Sequence, residues 1–305
     1  MENLGILHNI DSLDGNPLGV AFSIDSVRWD RSYSANSYLP QAGPNLEVLV
    51  NTRVTRVNVK ETADGGFTAT GITFEDSTII QARKEKEVLD VAGIEQLIDL
   101  PGVGESLQDH LRVQLVCQLK EGHTSLDQLI YNSMFAAEQF ALQESQEYSI
   151  YDEAPNGISL LSYTQAFGND TTSALLALAE AEFGNSTNVI EQKNSDYGNN
   201  YVSLIVALMH TLSLGSVHIT SSNISDLPTL DPRVLSSEHD LQAQIAIGKL
   251  ARKIGQSEPR AGTLVSETEP GLDTVHTEEE WSGFVEETAL SFYHMAGACA
   301  MLPKE

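Results

Sequence analysis

Histidine is the side chain best suited to moving a proton near neutral pH, because its ordinary pKa lies there. This 305-residue sequence carries eight of them. His294 sits in the string YHMAGACAM, three residues before Gly297, and a glycine there permits the tight backbone that a short loop needs. Taken by itself it reads as an ordinary loop histidine. His110 follows Asp109 in the string QDHL and could bond locally or lie near an active-site wall. His218 falls on an expected strand, and His8, His123, His239 and His276 are expected to be exposed. No group of His, Asp or Glu has the spacing of metal ligands, so no metal site is expected. No GxSxG nucleophile elbow occurs. The nearest approach to a GxGxxG phosphate turn is GVGESL at 102–107, which lacks the third glycine and does not open a strand-to-helix unit.

The elements that would position these residues belong to a globular chain. Apolar residues make up 41% and charged residues 20%, enough for a core across one large domain or two. The formal net charge of −26 repels phosphate backbones and acidic membrane surfaces, so neither nucleic acid nor a membrane is an expected partner. A neutral or cationic small substrate is compatible with that charge. The acidic stretches at 140–153 and 266–287 read as solvated faces rather than paired catalytic carboxylates. The two cysteines, Cys117 and Cys299, form no CxxC pair and suggest neither zinc nor a disulfide scaffold. The first residues show neither a basic start nor an apolar run, so no signal peptide is expected, and the compartment stays open. Glycosylation triplets at Asn169, Asn185 and Asn223 permit a secretory history without showing one.

Along the chain, residues 1–40 read as loop and short extended pieces. Alternation predicts one or two strands over 45–60, a hairpin turn at Asp64–Gly66 and strand character over 67–82. A further strand begins at 84–88. Residues 91–111 hold a short helix, a strand end and a Gly/Pro turn, and 112–120 read as a strand. Helical spacing appears over 124–147, 172–183 and 237–256, the last with Ser236 or Ser237 as N-cap. The apolar run at 201–210 predicts a buried strand and 213–220 another. Thr277 followed by Glu280 is a capping-box pattern opening a helix over 277–289. Strands mixed with separate helices point to an α+β, or mixed α/β, architecture.

Four segments in order resemble the glucose–methanol–choline (GMC) oxidoreductases, especially their fungal alcohol-oxidising branches. They are GNPLGV at 15–20 with RSYSANSYLP at 31–40, and PNLEVLVNTRVTRV at 44–57 with ATGITFED at 69–76. The third is DLPGVGESLQDHL at 99–111. The fourth runs from SLGSVHIT at 213–220 through DPRVL at 231–235 to FYHMAGACAMLPKE at 292–305. Three departures accompany them: no GxGxxG turn, a direct run from Val88 into Val91 where the family carries some two dozen more residues, and a last residue just past the histidine loop.

The resemblance implies part of an FAD-binding domain plus a substrate domain with an antiparallel sheet and flanking helices. It assigns 1–40 to a substrate-side loop segment, 41–115 to a partial FAD-binding domain, 116–292 to the substrate-binding domain and 293–305 to the catalytic-histidine loop. It implies FAD as cofactor and a small organic alcohol as substrate, oxidised at its CH–OH group by a dehydrogenase or oxidase, with a place in fungal secondary metabolism. His294 matches the catalytic histidine of the family's H-x-x-G-x-x-x-M loop. Val54 matches a strand valine whose backbone lies against the flavin adenine. The same resemblance leaves two other readings: a non-redox cyclase, as in the versicolorin B synthase branch, or an inactive truncated remnant.

Overall fold

The computed structural model describes residues 4–9, 16, 18–21, 27–28, 30–31, 33–44, 46–63, 65–81, 102–152, 158–181, 200–223 and 225–300. In chain order the strands and α-helices are β1 (Gly19–Ala21), β2 (Val27–Arg28), β3 (Asp30–Arg31), α1 (Ser34–Ser37), β4 (Val54–Glu61), β5 (Phe67–Phe74), β6 (Ile79–Gln81), β7 (Glu105–Leu107) and β8 (Leu111–Leu119). Then come α2 (Gln128–Tyr131), α3 (Ser133–Glu144), β9 (Ile158–Leu160), α4 (Tyr163–Ala181), β10 (Tyr201–Leu208), β11 (Gly215–His218), β12 (Thr229–Asp231), α5 (Glu238–Gly255), β13 (Leu264–Glu269), α6 (Glu278–Thr288) and β14 (Leu290–Ser291). Helices and antiparallel sheets together make this the α+β class expected from the sequence. The strand expected at 84–88 and the helix expected in 91–101 lie outside the described residues.

The chain forms two compact units. Unit 1 comprises 1–40, 110–212 and 234–294; unit 2 comprises 41–109, 213–233 and 295–305.

Unit 1 is built on β8. It takes β10 along one edge and β13 and β14 along the other, all antiparallel. Val113 and Leu115 of β8 bury against Ile245 and Ala251 of α5 and against Trp281, Phe284 and Val285 of α6. On α5 the buried positions His239, Asp240, Ala243, Gln244, Gly248, Ala251 and Gly255 recur at helical spacing, which gives the helix one inward stripe. Gly248 belongs there for its size, since a Cβ would stand 2.9 Å from the Trp281 ring. Arg252 ties the layers together. Its guanidinium lies 4.5 Å from the centre of that ring and donates to Glu267 of β13 from Nη2 at 2.6 Å. Glu267, expected on a solvated face, is therefore buried: a charge can leave water here because a fork-shaped partner meets it. Helix α6 opens on the expected capping box, with Thr277 accepting from the Glu280 N–H and Glu280 accepting from the Thr277 N–H. Ser237 occupies the N-cap position of α5 but caps through its carbonyl, which accepts from Asp240 and Leu241.

Two strand expectations are corrected. The run at 201–210 forms β10, yet Leu208 is its one fully buried residue. Among the described residues β10 is an edge strand: Leu204 and Val206 pack on the core while Ile205 is exposed. Residues 46–50, read as strand, carry no regular structure, and Leu46, Val48, Leu49 and Val50 are exposed.

In unit 2, β4, β5 and β6 form one three-stranded antiparallel sheet. Gly65, at φ +81°, turns β4 into β5 as the sequence indicated. The stretch 67–82 resolves into two strands, because residues 75–78 make a second turn closed by the Phe74 N–H on Thr78 O. A second sheet orders as β12-β11-β7.

Candidate functional site

The histidine loop is set by strand pairing in unit 1. β14 pairs with β8, Leu290 opposite Arg112 and Ser291 opposite Leu111. The Phe292 N–H then donates to the His110 carbonyl at 2.8 Å, which places residue 292 beside residue 110. Beyond it the backbone leaves the ladder. Tyr293 takes φ +62° and its N–H donates to Ser291 Oγ at 2.9 Å. His294 follows on this turn, and its ring returns over His110.

The two imidazoles meet through Nδ1 on each ring, 2.9 Å apart. The rings lie edge to face, with centroids 5.0 Å apart and an interplanar angle of 88°. Phe292 flanks His294, its centroid 5.1 Å away. His294 is exposed and His110 half-buried. The contact between the two Nδ1 atoms holds the ring of His294. An imidazole held in this way can accept a proton from a hydroxyl group brought to it.

In unit 2, Ala296 pairs with Gln108 through reciprocal backbone bonds of 2.8 and 2.9 Å. Gly297, at φ +92°, lies so near Ser106 that a Cβ would stand 2.1 Å from its carbonyl oxygen. No other residue fits there, which is the physical reason for glycine three positions after His294.

The turn at 102–104 is not a phosphate cradle. It leads into β7, which pairs with β11, and the Gly104 N–H donates to Ala298 O at 2.7 Å while Gly104 O accepts from Val217. Its backbone groups are spent on neighbouring chain, not presented at a helix N-terminus. Val54 opens β4 opposite Phe74 and is 42% exposed. β4 is an edge strand among the described residues, so its backbone groups on the side away from β5 face outward. Among the described residues the turn at 102–104 offers FAD no pyrophosphate cradle.

The structure brings His110 and His294 together and places Val54 in the other unit. His110 was one open reading among several in the sequence; its place in QDHL was the signal, and the pairing that uses it spans 184 positions. His239, expected exposed, is 4% exposed, with Nε2 3.2 Å from the Tyr163 hydroxyl and Nδ1 3.0 Å from Asp240 Oδ1. Its helical spacing to Ala243 was the missed signal. Burial, and then Asp240, push the Tyr163 hydroxyl up to about 12. Burial raises the Cys117 thiol as well, with Glu267 adding to it, which makes it a poor nucleophile. Both cysteines are free thiols. Among the described residues no cluster of three or more His, Cys, Asp or Glu could hold a metal ion. No described helix is long and apolar enough to cross a membrane.

The family model for GMC oxidoreductases matches residues 211–305, the segment that ends on this loop. A GMC oxidoreductase family protein of Malassezia sympodialis, Mala s 12, is 29% identical over 97% of this chain and 54% of its own length.

Residues 211–305 match the GMC oxidoreductase model, and nearly the whole chain is similar to a GMC oxidoreductase family protein.

This chain spans about half the length of the curated family relatives it matches. Among them, a versicolorin B synthase of Emericella nidulans is 29% identical over 71% of this chain and 34% of its own. An FAD-dependent oxidoreductase from Chaetomium thermophilum superposes with a TM-score of 0.79 over 99% of this chain and 61% of its own, at 21% identity. That last likeness shows a shared fold.

Proposed function

We propose that this chain supplies the reacting end of an FAD-dependent alcohol oxidoreductase, a dehydrogenase or oxidase of a small organic alcohol. The observation that carries the reading is the exposed His294, held at Nδ1 by His110 within the family-matched segment. His294 takes the hydroxyl proton of the alcohol at Nε2, and FAD, when bound, supplies the acceptor for the hydride. The Val54 backbone is the contact assigned to the adenine, and the strand ladder of β8 and β14 fixes the histidine.

A role in fungal secondary metabolism is part of this proposal, supported by the likeness to the versicolorin B synthase. The same likeness supports a second reading, a non-redox cyclase on the same scaffold.

The visible absorption spectrum of the purified protein, taken before and after excess FAD and desalting, tests the proposal. Retained flavin that bleaches when an alcohol is added without oxygen is the expected result. Flavin retained but bleached by no alcohol favours the cyclase. A folded protein that holds no flavin overturns the oxidoreductase reading for this chain.

A further inference from the structure

We infer that Arg112 is an anion-binding residue on the open face of the unit 1 sheet, so that the alcohol taken here is a hydroxy acid whose carboxylate lies on its guanidinium. This names the substrate class for the reading above and rests on it.

Strand β8 has two faces. Leu111, Val113 and Leu115 are buried, and Val113 and Leu115 pack under α5 and α6. Alternation sends Arg112 and Gln114 to the other face. The bonds agree: Arg112 Nη1 donates to Gln114 Oε1 at 3.2 Å, and Gln114 Nε2 donates to Ser203 Oγ of β10 at 2.9 Å. The ladder runs on through the Phe292 N–H to the His110 carbonyl, so residue 110 falls on the face of Arg112. Two residues at strand pitch separate their backbones by about 7 Å, a distance one small molecule spans.

Arg112 is not placed as an ordinary surface arginine. It stands on the central strand, half-buried, with Ala207 of β10 opposite it on one side and Leu290 of β14 on the other. Apart from Gln114, its guanidinium meets no acceptor among the described residues. With 43 acidic residues against 17 basic ones, a carboxylate neighbour is the ordinary outcome. Arg252 meets Glu267, and Arg233 meets Asp231. Gln114 takes one N–H of Arg112 and is itself held by Ser203, so it orients the fork without neutralising it.

A planar fork presented in this way suits a carboxylate, which accepts two parallel N–H bonds. One fixed positive charge matches a monoanion, whereas a phosphate dianion calls for more. Ile205, opposite Gln114 and 49% exposed, gives the carbon skeleton an apolar surface on the same face. The net charge of −26 repels an anion at a distance, but salt screens that repulsion beyond about 10 Å, and at contact the guanidinium decides. No bond is made or broken at Arg112.

Proton–nitrogen spectra of the arginine side chains, recorded while the purified protein is titrated with benzoate, test this without FAD or turnover. Arg112→Lys identifies the signal. The Nε–H signal of Arg112 should shift along a saturating curve while the other arginine signals stay in place. Benzamide, uncharged and of similar shape, should leave it unmoved. A signal that moves only in step with the other arginines, or equally with benzamide, overturns the inference. Saturation by inorganic phosphate at lower concentration than by benzoate overturns it too.

Turnover separates the inference from the reading it rests on. In the FAD-loaded protein, para-(hydroxymethyl)benzoate should be oxidised with a higher kcat/KM than its methyl ester, chiefly through KM. Arg112→Gln should cut that preference about 10–100-fold, the worth of a hydrogen bond to a charged group. Arg112→Lys, which keeps the charge and loses the fork, should fall between. Benzoate bound at Arg112 with neither alcohol oxidised would sink the oxidoreductase reading and leave the anion site standing. Acid and ester oxidised alike, with Arg112 unmoved by benzoate, would sink the inference and leave the reading standing.

Discussion

His239 and His294 are both histidines of unit 1, and both are bonded at Nδ1, yet they are held for different ends. His239 lies at the start of α5, closed between a carboxylate on its own helix and the Tyr163 hydroxyl of α4. The carboxylate is itself engaged: Asp240, fully buried, accepts from the Leu212 N–H with both oxygens. His239 is therefore an architectural group that joins two helices and a loop, with each ring nitrogen used by the protein. His294 sits on a turn at the surface, its Nδ1 beside that of His110 and its ring exposed, and it is the residue the proposed chemistry uses. The difference teaches that the residue type does not mark the chemistry. What separates the two is whether solvent reaches the ring.

The contrast can be broken from either side. The largest effect on stability belongs to the buried ionic group in the same packed region. Arg252→Ala leaves the Glu267 carboxylate buried without its partner and removes the cation over Trp281. Urea unfolding should show a loss of about 3–5 kcal/mol. His239→Ala should cost about 2–3 kcal/mol, because it strips a bonded partner from both Asp240 and Tyr163 in the interior. His294→Ala, on the exposed loop, should stay within about 0.5 kcal/mol of the wild type in the same experiment. Equal losses for the two histidines would erase the distinction.

Tyr163→Phe should cost about 1 kcal/mol, the value of one buried hydrogen bond, and it carries a pH signature. The Tyr163 hydroxyl, pushed up to about 12 by burial and then by Asp240, stays neutral in the folded protein where an unfolded tyrosine ionises. Its stabilisation is thus complete below about pH 10, the ordinary tyrosine value, and is lost as pH rises from there through about 12. Wild-type stability should fall over that alkaline range more steeply than that of the phenylalanine variant. A small effect is also expected at the cap of α6. Thr277→Ala should lower stability by about 0.5–1 kcal/mol. The backbone N–H groups of Thr277 and His276 hold the Glu280 carboxyl below its ordinary value, so the cap is intact above the usual glutamate range and weakens as pH falls through the depressed value. An acid titration of stability should show the alanine variant less sensitive in that window.

Much of the packed region could be read from sequence, for reasons visible in single residues. The Thr277–Glu280 box announced α6, and the spacing of Ala243, Ile247 and Ala251 announced α5, because both signals are local. The same stripe, extended back by one turn, reaches His239, whose polarity disguised an inward position. Burial that depends on neighbouring strands was harder to read. The valine-rich run at 46–50 has strand composition but no partner among the described residues, and the apolar run of β10 lies at a sheet edge with most of its side chains only partly buried. The histidine pair was the least legible feature. Its members were visible one at a time in QDHL and YHMAG, but what joins them is the pairing of β8 with β14, a long-range register that neither string encodes alone.

The most direct test of the central claim is the rate at which a substrate alcohol reduces flavin in the FAD-loaded protein under anaerobic conditions, compared between wild type and His294→Ala. The account predicts a fall of about 10²–10⁴-fold, the usual contribution of a positioned general base, with folded stability unchanged. Flavin reduction at the wild-type rate in the alanine variant would contradict it.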